Sequence, residues 1–138
     1  MAAELLLDTG GLVSLLDRGQ HNHQSVLDYF QEWKGEVVST EAVLAESTHL
    51  LGRVSHGRQA CIEFFLRGGA VLVPSSGASL LRARQLIDQY ADLPMDYADA
   101  TLVVLAEELA TNLILTTDRR DFQIYRIAGS TAFEIVPG

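Results

Sequence analysis

The sequence predicts an α/β fold in which a mainly parallel central sheet is flanked by helices, giving three α/β/α layers. Short apolar runs, typical of buried strands, alternate along the chain with longer segments whose apolar residues recur every three or four positions. The chain has 138 residues, of which 48% are hydrophobic, so it is long enough to bury one core. No Pro-rich or Ser/Gly-rich linker divides it, and we expect a single domain over residues 1–138.

The first half of the chain contains two predicted strands and four predicted helices. Apolar runs indicate strands at 4–7 and 37–38. Periodic apolar residues indicate helices that begin near Leu12, at Gln24, at a capping Ser39 or Thr40, and at Arg58. These helices should end near Leu16, Trp33, Leu51 and Leu66, because glycines follow three of those positions closely: Gly35, Gly52 and Gly68.

The second half continues the alternation. Strands are predicted at 70–73, 113–116 and 133–136, and helices at 78–90 and 97–110, with a loop containing Pro94 between the two helices. Strands that alternate with helices form βαβ units, so the sheet should be mainly parallel. Because chemistry in such sheets collects at the carboxyl ends of strands, Asp8 and Asp118 are the first residues to consider.

Composition narrows the classes of function. The formal net charge of −8 argues against binding nucleic acid through a general positive potential, although nine of the ten basic residues are arginines, which can grip phosphate in bidentate fashion. The single cysteine, Cys61, excludes an intrachain disulfide and a Cys-based zinc site, and we expect it to be a buried thiol. The apolar run within Met1–Leu7 is too short for a signal peptide or a membrane span, so we expect a cytoplasmic protein.

Two further carboxylates stand where an acid is unexpected. Glu46 falls on the helical stripe of Val43 and Leu50, and Asp99 heads the apolar face of the last long helix. Each of the four acids also has an ordinary explanation, such as a favourable first helical turn for Asp99 or a turn position for Asp118. Together they would repel one another unless a cation or bound protons neutralised them.

Oxygen ligands favour hard cations, so the expected metal is Mg²⁺ or Mn²⁺ rather than zinc. The four histidines show no metal-ligand spacing, and we expect none of them to be catalytic: His21, His23, His49 and His56. The sequence contains no Ser-His-Asp order, phosphate-binding P-loop or Gly-rich dinucleotide motif.

Four segments in this order resemble the PIN-domain family, and within it the VapC-like toxins of bacterial toxin–antitoxin systems. The matching segments are Leu5-Leu6-Leu7-Asp8-Thr9, Val43-Leu44-Ala45-Glu46, Pro94-Met95-Asp96-Tyr97-Ala98-Asp99-Ala100 and Leu115-Thr116-Thr117-Asp118-Arg119-Arg120-Asp121-Phe122. The resemblance spans nearly the whole chain and implies a PIN-like α/β fold.

The resemblance also implies roles for individual residues. Asp8 and Asp99 would be the principal metal ligands, and Glu46 and Asp118 would complete the catalytic site directly or through water. Asp96 and Asp121 are second-tier residues, expected to cap helices or to lie in the outer shell, and Thr116 is expected to hydrogen-bond a carboxylate. Arg119 and Arg120 are candidates for contacting RNA phosphate.

The function implied by the resemblance is hydrolysis of RNA phosphodiester bonds with one or two Mg²⁺ or Mn²⁺ ions. The expected partners are an RNA substrate, a second copy of the chain and a small antitoxin. A basic side chain of that antitoxin would enter the acidic site while apolar contacts form around Phe30 and Trp33.

Three other interpretations fit parts of the sequence. Asp8-Thr9-Gly10 imitates the signature of aspartic proteases, but that chemistry needs two such aspartates in a β-rich fold. A phosphoacceptor receiver domain would need a lysine late in the chain, whereas the only lysine is Lys34. A PIN-like module that binds RNA or protein without cutting is the remaining alternative, and the presence of all four matched acids weighs against it.

Overall fold

A five-stranded parallel sheet organises the protein in the computed structural model, which describes residues 4–138. The strands of the chain are β1 (Leu5–Leu7), β2 (Val37–Thr40), β3 (Val71–Val73), β4 (Leu113–Leu115), β5 (Arg126–Ile127), β6 (Thr131–Ala132) and β7 (Glu134–Val136). The sheet has the order β3-β2-β1-β4-β7, and each neighbouring pair is parallel, while β5 and β6 form a separate antiparallel hairpin. The predicted parallel sheet is therefore confirmed.

Helices flank this sheet and complete the predicted three-layer α/β/α arrangement. They are α1 (Thr9–Leu16), α2 (His23–Glu32), α3 (Glu41–Leu50), α4 (Gly57–Leu66), α5 (Gly77–Gln89), α6 (Tyr97–Leu109) and the short α7 (Arg119–Phe122). A 3₁₀ turn, Leu51–Arg53, joins α3 to α4. None of the described helices is long and apolar enough to cross a membrane.

The central strand β1 lies in the middle of the core. Its three leucines are fully buried, because strands pair with it on both edges and helices cover both faces of the sheet. Helix α6 is buried over most of its length, from Ala98 to Ala106 apart from the partly exposed Asp99. The Cys61 thiol is fully buried, as the sequence predicted.

The structure corrects several predicted element boundaries. Helix α1 begins at Thr9 rather than near Leu12, directly after Asp8. Strand β2 continues through Ser39 and Thr40, which are buried, and the Thr40 hydroxyl still caps α3 by accepting a hydrogen bond from the Val43 amide. Helix α7 and the β5–β6 hairpin were not predicted, because four-residue and two-residue elements are too short to show a period.

An ion pair joins α5, α6 and the β5–β6 hairpin. The Arg82 guanidinium donates to both carboxylate oxygens of Glu107, with N–O distances of 2.9 and 3.0 Å. The amide of Ala128, which lies in the hairpin turn at φ 51°, also donates to Glu107 at 2.9 Å. The hydrogen bond from Arg82 is the main reason that the pKa of Glu107 lies below its ordinary value of 4.5.

Glu107→Gln should therefore lower the free energy of unfolding at pH 7 by about 1–2 kcal/mol, because a charge-assisted bidentate contact is lost in a partly exposed setting. Since the folded pKa lies below 4.5, ionised Glu107 stabilises the protein above that pH, and this contribution disappears as the pH falls through the folded pKa. Urea unfolding of both proteins at pH 7 and pH 3.5 should show the difference narrowing in acid.

Glu63→Gln is the matched control. It breaks the exposed Glu63–Arg67 pair on α4 and should change stability by less than about 0.5 kcal/mol. An equal loss for the two variants, or a Glu107→Gln loss that does not change with pH, would contradict this account of the Glu107 contacts.

Candidate metal centre

Two aspartates meet at the carboxyl edge of the sheet because the strands that precede them are neighbours. Asp8 follows β1 and occupies the N-cap of α1, and Asp118 follows β4 and occupies the N-cap of α7. Strands β1 and β4 pair in parallel, with Leu7 opposite Leu115. Side chains carried just beyond both strands are therefore brought to one edge.

The glycines that follow Asp8 allow α1 to start close to β4. A Cβ atom at Gly11 would overlap the backbone carbonyl of Leu115, and one at Gly10 would overlap the Thr117 hydroxyl. A larger residue at Gly11 would have to displace backbone that belongs to the sheet. Glycine at positions 10 and 11 thus permits the close packing between the start of α1 and the end of β4.

The Thr116 hydroxyl links the two sides of this edge. It donates to Asp8 Oδ2 at 2.6 Å and accepts from the Asp118 amide at 2.9 Å. Thr116 and Asp8 are both buried, with 2% and 3% of their surfaces exposed. This hydrogen bond is the one expected between Thr116 and a carboxylate, and it fixes the orientation of the Asp8 carboxylate.

Asp99 enters the same region from the first turn of α6. Its Oδ2 accepts a hydrogen bond from the Tyr125 hydroxyl at 3.0 Å. The Tyr125 ring is fully buried and packs edge-on against Tyr90 and Phe122, with centroid separations of 5.2 Å in both cases. A packed aromatic cluster therefore holds the group that orients Asp99.

The short helix α7 contributes two more carboxylates. Asp118 Oδ1 accepts from the Asp121 amide at 3.2 Å and so caps the helix. Carboxylate oxygens of Asp99, Asp118 and Asp121 all lie within 4.8 Å of one another. Three partly buried carboxylates this close together can present their oxygens to a single cation.

The electrostatic cost of this arrangement is visible in the pKa values. Burial raises the pKa of Asp8 to about 6, against the hydrogen bonds from Thr116 and the Thr9 amide, and the charges of Asp118 and Glu46 raise it further. Burial raises the pKa of Asp99 to about 7, with the charge of Asp8 as the next cause. Burial also raises the pKa of Asp118. Ionised carboxylates are thus disfavoured here unless a cation accompanies them.

A cleft of about 310 Å³ opens over these groups. Six carboxylates line it: Asp8, Glu46, Asp96, Asp99, Asp118 and Asp121. None of them forms an ion pair with a basic side chain within residues 4–138. A crowded donor set made only of oxygens, with no basic side chain paired to it, fits a hard divalent cation.

Comparison with known proteins identifies the family. The sequence profile of the PIN domain matches residues 5–129. The chain belongs to the PIN-domain family. Ribonuclease VapC26 of Mycobacterium tuberculosis is 30% identical over 135 residues, which are 96% of this chain and 100% of that protein.

Solved structures of low sequence identity share the fold. VapC20 of Mycobacterium tuberculosis, described as a sarcin-ricin loop cleaving toxin, superposes with a TM-score of 0.75 at 17% identity, covering 84% of this chain and 91% of that one. VapBC2 of Rickettsia felis, solved with a promoter DNA fragment, gives a TM-score of 0.65 at 18% identity, covering 96% and 98%. The parallel sheet excludes the β-rich fold of an aspartic protease, and the PIN-domain match excludes a receiver domain.

The structure brings together all the acids selected from the sequence, but Glu46 does not lie on the buried stripe predicted for it. Val43 is buried as expected, whereas Leu50 is 45% exposed and Glu46 is exposed as well. The buried residue one turn after Val43 is Ser47. Glu46 therefore stands at the cleft rim rather than on a buried stripe, and its charge still contributes to the raised pKa of Asp8.

Neither of the two second-tier aspartates makes the expected capping hydrogen bond, while an outer-shell role for them stays a prediction. Asp96 occupies the N-cap of α6, but its exposed side chain makes no capping hydrogen bond. Asp121 does not cap α7, because Asp118 does, and its carboxylate lies within the close group of three. Capping of α7 could not be anticipated without predicting that helix.

Sequence reasoning did not select Tyr125 or Arg53, although both belong to this region. Tyr125 follows Phe122 by three residues, a spacing that indicates burial of its ring. A buried tyrosine hydroxyl usually needs a hydrogen-bond partner, so this spacing could have pointed to a contact with one of the acids. No comparable signal marks Arg53, which lines the cleft from the 3₁₀ turn after α3.

Asp99→Asn should raise the melting temperature of the metal-free protein at pH 8. The amide removes one of several crowded negative charges, and its oxygen can still accept the Tyr125 hydrogen bond. Each kcal/mol gained corresponds to a rise of about 4 °C for a domain of this size. Thermal unfolding in EDTA measures the effect, with Asp88→Asn on exposed α5 surface as the control of equal charge change. A melting temperature below that of wild type would indicate a structural role for the Asp99 carboxylate.

Proposed function

We propose that this PIN-domain protein is a metal-dependent endoribonuclease, that it is the toxin of a toxin–antitoxin pair, and that the acidic cleft is its active site. The observation that carries the proposal is the convergence of carboxylates from β1, α6 and α7 on one edge of the sheet, with no ion pair between them and a basic side chain of the described residues. Membership of the PIN family and similarity to a protein named as a ribonuclease support it.

The metal is proposed to be Mg²⁺ or Mn²⁺. Asp8 and Asp99 would hold it from the floor of the cleft, where Thr116 and Tyr125 orient their carboxylates. Asp118 would complete the ligand set together with Asp121, whose oxygens lie close enough to share the ion. Glu46 would act from the rim through water, and Asp96 would add negative charge at the entrance.

A bound divalent cation lowers the pKa of a coordinated water and offsets negative charge that develops on the phosphate in the transition state. The protein therefore needs no side-chain nucleophile. Asp8 and Asp99 supply negative charge fixed by buried hydrogen bonds, so that little reorganisation is needed when an ion and a phosphodiester bind. Glu46, exposed at the rim, is placed to accept a proton from water that enters the cleft.

We further propose that a small antitoxin and a second copy of the chain are partners. Several structural neighbours are toxin–antitoxin assemblies, including a complex from Klebsiella pneumoniae with a TM-score of 0.64. The aromatic surface expected to receive an antitoxin is present: Phe30 packs 5.7 Å from Phe64, and Trp33 lines the same groove. A basic antitoxin side chain would find uncompensated carboxylates in the cleft.

Cleavage of single-stranded RNA should require Mg²⁺ or Mn²⁺ and should stop in EDTA. The carboxylates alone cannot offset the negative charge that develops on the phosphate. Asp8→Asn and Asp99→Asn should each lower the rate more than about a hundredfold, since outer-shell changes alone cost 10–100-fold in metal sites. Asp88→Asn should remain active.

Denaturing gels with a labelled oligonucleotide measure these rates. Full activity in EDTA would refute the metal-dependent mechanism. RNA binding without cleavage, at saturating metal, would instead favour the non-catalytic PIN-like module.

Expression in bacteria tests the toxin assignment. Wild-type protein should arrest growth, Asp8→Asn should not, and co-expression of the gene adjacent to its own should restore growth, because an antitoxin would block the cleft. Growth curves with soluble protein confirmed by immunoblot give the answer. Normal growth at high levels of active, soluble wild-type enzyme would show that the nuclease is not a toxin.

A further inference from the structure

An RNA phosphate that approaches this cleft meets a strongly negative surface. Six of the residues that line it are acidic, and among the described lining residues Arg53 is the single cation. A metal ion offsets part of that charge near Asp99, but the phosphates flanking the cut bond need separate compensation, since nucleic-acid affinity comes mainly from phosphate contacts. Among the described lining residues, Arg53 is therefore the one that can supply positive charge to such a phosphate.

Arg53 is oriented by one ion pair, and most of its side chain stays exposed. One terminal nitrogen donates to Asp17 Oδ2 at 3.1 Å, while the Arg53 side chain remains 62% exposed. Asp17 is fixed in turn by the Gly19 amide at 2.9 Å and by the Gln20 side chain at 3.0 Å. The guanidinium is thus oriented on one side and keeps its remaining donors available for an anion.

The backbone that carries Arg53 is also constrained. Arg53 ends the 3₁₀ turn that begins at the fully buried Leu51. Gly57, at the start of α4, lies so close that a Cβ there would overlap the Leu51 carbonyl. The turn is therefore packed between the core and α4, and it presents Arg53 at the cleft wall.

We propose that Arg53 binds an RNA phosphate next to the scissile bond and that Asp17 positions its guanidinium for this contact. The inference rests on the proposed nuclease function and assigns a substrate-binding residue to it. A planar guanidinium with one edge paired to Asp17 can offer parallel N–H donors to a phosphate, which a flexible surface lysine does less well.

The arginines suggested by the sequence are placed less favourably. Arg119 donates to the Pro137 carbonyl at 3.1 Å and lines a neighbouring pocket with Asn22 and Ser25. Arg120 is exposed and does not line the acidic cleft, although its charge acts to lower the pKa of Asp118 from outside it. Arg53 lies on the cleft wall itself, alongside Glu46 and Leu50.

Steady-state cleavage of a single-stranded RNA oligonucleotide in Mg²⁺ tests the proposal. Arg53→Ala should raise KM about tenfold with kcat within about twofold, because a contact made equally in the ground and transition states is removed. Arg53→Lys should recover only part of the loss, because the ammonium keeps the positive charge but not the fork of donors. Arg67→Ala is the matched control, since Arg67 is also exposed and paired with an acid, but lines the Phe30 groove.

Binding gives a second readout. Fluorescence anisotropy with the same oligonucleotide in Ca²⁺, checked by gel to remain intact, should show the Kd rising for Arg53→Ala and the salt slope of log Kd falling by about 0.7. Asp17→Asn separates positioning by Asp17 from phosphate binding by Arg53, because it breaks the ion pair and keeps the positive charge of Arg53. It should change KM less than Arg53→Ala does.

Equal KM values for wild type, Arg53→Ala and Arg67→Ala would overturn the proposal while leaving the nuclease function intact. An equal KM rise in Arg53→Ala and Asp17→Asn, with matching losses in melting temperature, would also overturn it and would show that Arg53 only anchors the turn after α1. A wild-type chain that neither cleaves nor binds RNA would overturn both the nuclease function and this role for Arg53.

Discussion

The burial of acidic side chains beside one another at the carboxyl edge of the sheet is the constraint on which the rest of the site depends. Asp8 and Asp99 are withdrawn from water and lie near other acids, so their ionised forms are unfavourable without a cation. The fold nevertheless keeps them together, because each side chain follows a buried strand or begins a buried helix. Holding these carboxylates together destabilises the metal-free protein, as is expected of a site that binds a divalent metal.

Hydrogen bonds from well-packed neighbouring residues fix the orientation of the Asp8 and Asp99 carboxylates. Thr116 fixes Asp8 from the end of β4, and Tyr125 fixes Asp99 from an aromatic cluster. The close approach of Gly11 to the Leu115 carbonyl sets where α1 begins, and therefore where the Asp8 backbone lies. Arg53, by contrast, is exposed and held by one ion pair, which suits the contact with an RNA phosphate proposed for it.

The parts of the fold that could be predicted are those with a long or regular pattern. The three leucines of β1 and the apolar residues of α6 show their burial in the sequence, so Asp8 and Asp99 could be placed from the elements next to them. Helix α7 is one turn long and has no period, so the proximity of Asp121 to Asp99 was not visible. Glu46 was chosen partly through Leu50, whose apolar side chain is exposed at the cleft and not in the core.

Crystallography of the protein soaked in Mn²⁺ tests the central claim most directly, since manganese is located by its anomalous scattering independently of any activity. We expect an anomalous peak among the carboxylates of Asp8, Asp99, Asp118 and Asp121, at oxygen distances of about 2.0–2.3 Å, and no peak there in Asp99→Asn crystals. The absence of a peak in this cleft at saturating Mn²⁺, with the carboxylates ordered as described, would contradict it.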